Sequence, residues 1–271
     1  MEYKIIASDL DGTLFDSNGQ LSRENLMAIS ELAKGGVYFV PSTGRGFSEI
    51  PTTLKDNPDI RYYICSNGAV VFDKMGENHG MNCISKADVQ FILDTLAPCA
   101  CHLTVRHNGK IFADSAFQTE EWWQYYNVWE GHRAVVREYA VCLPHFKEYC
   151  RSADRVECIC VCFHSNEDRA VCKRQLQTNA RLRIAEGADH NLEIMNASAG
   201  KGNALCDLAR MLGVDIAHTI AIGDSDNDDS MIRAAGRGLA VSNAVDSLKA
   251  VADGVICSND EHVVRYIISH F

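Results

Sequence analysis

Positive charge is scarce in this chain. Its 271 residues include 26 Lys and Arg against 36 Asp and Glu, a formal net charge of −10 at pH 7. That balance argues against a surface built for nucleic acid or an anionic membrane. A small anion can still be admitted where a metal ion or a local lysine reverses the sign inside a pocket. No apolar run approaches the roughly 20 residues of a membrane span. The opening Met-Glu-Tyr-Lys is expected to lead straight into a strand rather than to form a secretory leader. Repeats, low-complexity tracts and long linkers are also missing. The expectation is a cytoplasmic protein of one large or two medium domains, with no nucleic-acid or membrane partner.

Cysteine is plentiful, at 12 residues. In a chain of this size without a leader, these are expected to be small buried hydrophobes rather than a disulfide frame. Cys158, Cys160 and Cys162 alternate, which puts all three on one face of a strand. Zinc sites generally pair cysteines as C-x-x-C on turns, so buried packing is favoured over metal binding. The same reading applies to Cys99 and Cys101.

Periodicity suggests how the chain is organised. Tyr3 to Leu10 reads as a buried strand. From Ser22 to Lys34, Leu26, Ile29, Leu32 and Ala33 recur at helical spacing, with Ser22 as N-cap and Gly35-Gly36 as exit. Strands follow at Val37 to Val40 and Tyr62 to Cys65, the alternation of a parallel sheet with crossover helices. After about residue 80 the rhythm changes. Asn108-Gly109 joins two alternating runs as a hairpin, and helices are expected around Trp122 and His145. Strands at 156–163, 181–185 and 191–195 and a helix over 168–177 complete a mixed unit. The α/β rhythm returns with a helix over Lys201 to Leu212 and strands at Thr219 to Gly223, Gly238 to Val241 and Gly254 to Cys257.

Four strand ends carry polar signatures: Asp9 and Asp11, Ser42-Thr43-Gly44-Arg45, Ser66-Asn67-Gly68, and Asp224 to Asp228. Ligands of open α/β sheets sit beyond the carboxyl ends of the strands, so parallel neighbours bring these four sets to one crevice. Asp9 and Asp11, two apart on extended backbone, point the same way. Such a crowd of carboxylates would repel and raise each other's pKa. A hard divalent cation resolves the conflict, and Mg2+ commonly bridges carboxylates to a substrate phosphate. Two carboxylates beside Mg2+ suit phosphoryl transfer, with one attacking phosphorus and the other moving the proton. Lys201 can offset charge, and Thr43 with the backbone N–H groups after it can hold phosphate oxygens.

Each signal has a plainer reading when taken singly. Asp-Gly after a strand is often only a turn, "STGR" can be a helix cap, and Lys201 can be a solvated lysine. Asp224, Asp226 and Asp228 fit the start of a calcium loop, but Asp229 stands where that loop needs Gly and Ala235 where it needs Glu. The joint order of all four at element ends decides against the plainer readings.

"DLDGTL" at Asp9 to Leu14, "STGR" at Ser42 to Arg45, "KGNAL" at Lys201 to Leu205 and "GDSDND" at Gly223 to Asp228 together resemble the haloacid dehalogenase superfamily of phosphatases. "SNGA" at Ser66 to Ala69 fits its Cof-type branch (type IIB, with a large inserted cap). The resemblance implies an α/β fold, a Rossmann-like doubly wound parallel sheet core over residues 1–83 and 191–271 with an inserted α+β cap over 84–190. It implies Asp9 as nucleophile and Mg2+ ligand. Asp11 becomes the acid/base, binding metal through its backbone carbonyl. Asp224 binds Mg2+ directly, and Asp228 directly or through water. Ser42, Thr43, Gly44, Asn67, Lys201 and Asn227 form the phosphate-binding set, with Lys201 also orienting Asp9.

Departures from the pattern lie in loops: "MNASAGK" before the lysine, Ser242 in "SNAVDSLK" and His262 in "SNDEH". Arg106, His107, Trp122, Trp123 and His190 are cap candidates for substrate contact, with packing or plain surface the favoured reading for each. The expected activity is Mg2+-dependent hydrolysis of a small phosphorylated metabolite, a sugar phosphate or phosphorylated cofactor, by a monomer or weak homo-oligomer. The alternatives are a phosphomutase with the same first step and a non-catalytic metal or metabolite binder.

Overall fold

A computed structural model describes residues 2–80, 82–186 and 188–271. The strands, in chain order, are β1 (Ile5–Ser8), β2 (Tyr38–Pro41), β3 (Tyr62–Cys65), β4 (Val70–Asp73), β5 (Cys101–His107), β6 (Lys110–Asp114) and β7 (Ala140–Leu143). They continue with β8 (Cys158–Phe163), β9 (Leu182–Ala185), β10 (Asn191–Asn196), β11 (Thr219–Gly223), β12 (Arg237–Ala240) and β13 (Gly254–Val255). The helices begin with α1 (Arg23–Lys34), α2 (Thr52–Lys55), α3 (Lys86–Leu96), α4 (Glu120–Tyr125), α5 (Glu130–Tyr139) and α6 (Phe146–Ser152). After them come α7 (Asn166–Leu176), α8 (Lys201–Met211), α9 (Asp229–Ala234), α10 (Asp246–Lys249) and α11 (Val263–His270).

The chain divides into two compact units. The first comprises residues 1–45, 50–80 and 200–271, and the second 46–49 and 81–199. In the first, five parallel strands lie in the order β13-β12-β11-β1-β2. β1 is apolar on both faces, with Ile5, Ile6 and Ala7 fully buried, as a strand covered on both sides must be. From β1 the chain moves through α1 to β2 on one side, and returns at β11 to build outward on the other. The order therefore reverses between β1 and β11, and their carboxyl ends flank the switch point. A parallel bridge from Ser42 to Ile64 sets β3 beside β2, and β4 pairs antiparallel with β3. α1 starts as expected: the Ser22 side chain accepts from the Asn25 N–H at 3.2 Å, and Ala28, Ile29 and Leu32 face inward.

The second unit is built on a six-stranded sheet, β7-β6-β5-β8-β10-β9, antiparallel except for β6 with β7. Asn108 and Gly109 turn the β5–β6 hairpin with φ of 49° and 72°, the left-handed pair that a tight hairpin demands. Cys158, Cys160 and Cys162 are all buried along β8. Val105, Ile159, Val161, Phe163, Leu192 and Ile194 pack with residues of α3, α6 and α7 in one apolar cluster. A smaller cluster gathers Ala113 and Cys162 with Trp123, Tyr126, Val128 and Val136.

The boundary expected at residue 190 lies further on. β10 pairs with β8 and β9, so 191–199 belong to the second unit. Residues 46–49 also join that unit, through the Glu49 carboxylate. It takes the Arg106 Nε at 2.9 Å and Nη2 at 3.2 Å.

Candidate functional site

The first turn after β1 is shaped by Gly12, whose φ of +75° is left-handed. A Cβ there would stand 2.5 Å from Asp224 Oδ2, so the position is closed to a side chain by space as well as by conformation. The turn carries Asp9 inward and nearly buried, and Asp11 outward. Asp224 follows β11 directly. Asp228 lies one short turn later and is fully buried.

Lys201 opens α8 and is fully buried, unusual for a lysine unless its charge is matched. Its Nζ donates to Asp9 Oδ1 at 2.7 Å and to Asp228 Oδ1 at 2.6 Å. Asp228 Oδ2 accepts the backbone N–H groups of Asp224 at 3.0 Å and Ser225 at 3.2 Å. The Thr13 hydroxyl donates to Asp224 Oδ1 at 3.2 Å. Carboxylate oxygens of Asp9, Asp224 and Asp228 all lie within 4.8 Å of one another.

Three carboxylates facing one ammonium leave an excess of negative charge in a buried place. Burial raises the Asp9 carboxyl to about 7; Lys201 opposes the rise, and Asp228 and Asp224 add to it. Burial and then Asp228 likewise push Asp224 up. Burial works against the Lys201 charge, but Asp9 and Asp228 outweigh it and hold its pKa above the ordinary value. These residues fit a divalent cation: they are oxygen donors, they converge, and their charge is under-compensated.

The remaining residues singled out in the sequence divide. Thr43 is buried, and its Oγ1 accepts the Arg45 N–H at 3.1 Å, shaping the turn that Gly44 continues. Asn67, at φ 53°, accepts at its Oδ1 from Asn227 Nδ2 at 3.1 Å, tying the β3 end to the β11 loop. Ser42 is fully buried in its bridge to Ile64, and its Oγ has no hydrogen-bond partner among the described residues. Asp11 is exposed. Its carboxylate takes a two-pronged grip from Arg45, Nε at 2.8 Å and Nη2 at 2.6 Å, and its side chain is not in the Asp9, Asp224 and Asp228 group.

Two contributors were missed in the sequence. Arg45 stood inside "STGR" but drew no role. Asn243 donates from Nδ2 to the Gly12 carbonyl at 2.7 Å and accepts the Asn259 N–H at 3.0 Å, buttressing the turn that follows Asp11. Its signal was its place just beyond the end of β12. Another acidic group, Asp73 with Glu77 and His79, is a clip closing the turn after β4. Asp73 accepts the N–H groups of Met75 and Glu77, and lies 3.1 Å from His79 Nε2.

The five candidates of the second unit take structural places. Arg106 is paired with Glu49, and His107 Nδ1 is 2.7 Å from the Tyr149 hydroxyl. Trp123 is buried under the Arg137 guanidinium, and Trp122 stacks on Tyr126. The His190 ring nitrogens lie between two amides, Nδ1 3.2 Å from Asn127 Nδ2 and Nε2 3.1 Å from Asn166 Nδ2.

A parallel core that gathers carboxylates and a buried lysine at its switch point defines an α/β hydrolase of phosphate esters. The chain belongs to the haloacid dehalogenase-like hydrolases, whose family profile matches residues 6–268. It is 30% identical to Phosphatase YwpJ of Bacillus subtilis (strain 168), covering 98% of this chain and 99% of that protein. It is also 30% identical to 5-amino-6-(5-phospho-D-ribitylamino)uracil phosphatase YwtE of the same organism, covering 98% of this chain and 96% of that one. A solved haloacid dehalogenase-like hydrolase from B. subtilis superposes with a TM-score of 0.75 at 29% identity, covering 99% of each chain. The protein is a phosphatase of this superfamily, of Cof type, a hydrolase acting on phosphate monoesters.

Proposed function

We propose that the protein is a Mg2+-dependent phosphatase of a small phosphorylated metabolite, a sugar phosphate or phosphorylated cofactor, working through an aspartyl-phosphate on Asp9. The observation that carries this reading is the buried lysine bridge: one ammonium joins Asp9 and Asp228 within a group of three convergent carboxylates. A binder of neutral metabolites has no use for that arrangement. The YwtE relative, named for a phosphorylated ribitylaminouracil, supports a phosphorylated small molecule as the substrate class.

Asp9 and Asp224, with the Asp11 backbone carbonyl, would hold Mg2+. The ion supplies charge neutralisation on the phosphoryl oxygens and keeps Asp9 ionised. Asp228 has both oxygens engaged, one on Lys201 and one on the loop backbone, and serves as their anchor. Asp9, oriented through Oδ1 by Lys201, attacks phosphorus. Asp11 leaves Arg45, gives a proton to the departing alkoxide, and then takes one from the water that cleaves the aspartyl-phosphate. Thr43, the Gly44 backbone and Asn67 with Asn227 receive the phosphoryl oxygens.

The test is release of inorganic phosphate across a panel of sugar phosphates, nucleotides and phosphorylated vitamins, with Mg2+ present. A selective, metal-dependent response within the sugar or vitamin class is expected. Transfer to a second hydroxyl without free phosphate would establish a mutase instead.

A further inference from the structure

The twelve cysteines are all free thiols. Cys99, in the turn that follows α3, has its Sγ 3.2 Å from Sγ of Cys172 on α7, across 73 residues of sequence. Cys172 is buried and also points its thiol at the Thr95 carbonyl, at 3.7 Å. Cys99 is half-buried and lines a cavity of about 140 Å3, with Cys101 beside it and the exposed Lys147 and Arg151 at its border. That space is open to solvent, carries two cations and is large enough for a small peroxide. Cys160 and Cys162 also lie close together on β8, but both are buried within the unit.

We propose that Cys99 and Cys172 are a modification site, a dithiol that a hydroperoxide converts to a reversible disulfide. In the first step the Cys99 sulfur attacks one peroxide oxygen. The O–O bond breaks, and the departing oxygen leaves with the Cys99 proton as alcohol, or as water from hydrogen peroxide. Cys99 is oxidised to a sulfenic acid and the peroxide is reduced. In the second step the Cys172 sulfur attacks the Cys99 sulfur. The S–S bond forms, the S–O bond breaks, and hydroxide departs with the Cys172 proton as water.

The order of roles follows from access. The cavity reaches Cys99, and Cys172 waits behind it as the resolving thiol. Lys147 and Arg151, the latter 3.6 Å from Asp94, line the cavity and place positive charge where the leaving oxygen departs. Burial pushes the Cys172 thiol up to about 12, which suits a group that stays protonated until the sulfenic acid appears. A dithiol reductant returns both hydrogens and restores the pair.

The experiment treats the whole reduced protein with hydrogen peroxide, removes the excess, then alkylates the denatured chain and counts adducts by mass spectrometry. Of twelve thiols, two should be lost, leaving ten, and a non-reducing digest should yield a peptide joining Cys99 to Cys172. Dithiothreitol should restore twelve. Cys99→Ser should keep all eleven of its remaining thiols under the same treatment. Cys172→Ser, or Cys172→Ala should serine disturb the buried position, should accumulate a sulfenic acid at Cys99 that dimedone traps. A count that stays at twelve in the wild type overturns the proposal. So does a loss of two thiols made of other cysteines, or any loss from the eleven of Cys99→Ser.

Discussion

Asp9 and Lys201 are the pair on which the chemistry turns. Asp9→Asn keeps the size of the side chain and its acceptor for Lys201 but removes the nucleophilic oxygen. Phosphate release should fall by about 1,000-fold or more, with the circular dichroism spectrum unchanged; turnover near the wild-type rate would take Asp9 out of that role. Lys201→Ala is a different kind of change. It strips the counter-charge from the buried Asp9 and Asp228, and breaking a buried pair from one side costs about 3–5 kcal/mol. Urea denaturation should therefore show a large loss of stability along with the loss of activity. At Gly12 a single methyl suffices. Gly12→Ala would drive a Cβ into Asp224 Oδ2; the Mg2+ concentration for half-maximal activity should rise about 10-fold or more while the lysine bridge stays intact.

At the scale of elements, the docking of α3 rests on Asp88. Its buried carboxylate takes Ser85 Oγ at 2.7 Å, Asn179 Nδ2 at 2.7 Å and the Arg181 guanidinium at 2.6 Å. Arg181 holds the carboxyl down at about 2 against the opposing effect of burial, with help from Ser85 and Asn179. Because the folded value is below the unfolded one, the stabilisation is present in full above about pH 4 and is lost as pH falls toward 2. Asp88→Asn should cost about 2 kcal/mol at pH 7, and its deficit against wild type in urea melts should shrink between about pH 4 and pH 2. A deficit independent of pH would mean that the packing of α3, not the charge, carries the effect. The elements themselves were largely legible from the sequence. The helix capped at Ser22, the Asn108-Gly109 hairpin and the helix opening at Lys201 stand where periodicity and caps put them, because those signals are local. The allegiance of β10 was not legible. Asn191–Asn196 reads as a short strand in either unit, and only pairing with β8 and β9, a tertiary choice, assigns it.

Over the whole molecule, the candidate site was readable to the extent that it is made of strand ends. Asp9, Thr43, Asn67 and Asp224 each follow a strand of the first unit, so the parallel order is enough to bring them together. Side-chain partnership is another matter. That Arg45 would grip Asp11, and that Asn243 would reach the Gly12 carbonyl, depends on rotamers and loop paths that no spacing encodes. The carboxylate excess has a global consequence as well. Chelation by EDTA should abolish phosphate release and Mg2+ should restore it. At about 100 times its dissociation constant, the ion should add about 2.7 kcal/mol to the folding free energy, read as a rise in melting temperature. Full activity after exhaustive chelation would contradict the metal site.

Asp9 and Lys201 are separated by 192 residues. A chain emerging from the ribosome presents the Asp9 carboxylate long before the cation that matches it has been made. Until α8 is synthesised, folding of β1 into a closed sheet would bury an unbalanced ion. The strand that appears first is thus obliged to wait for the last third of the polypeptide, and completion of the fold and arming of the catalyst become the same event.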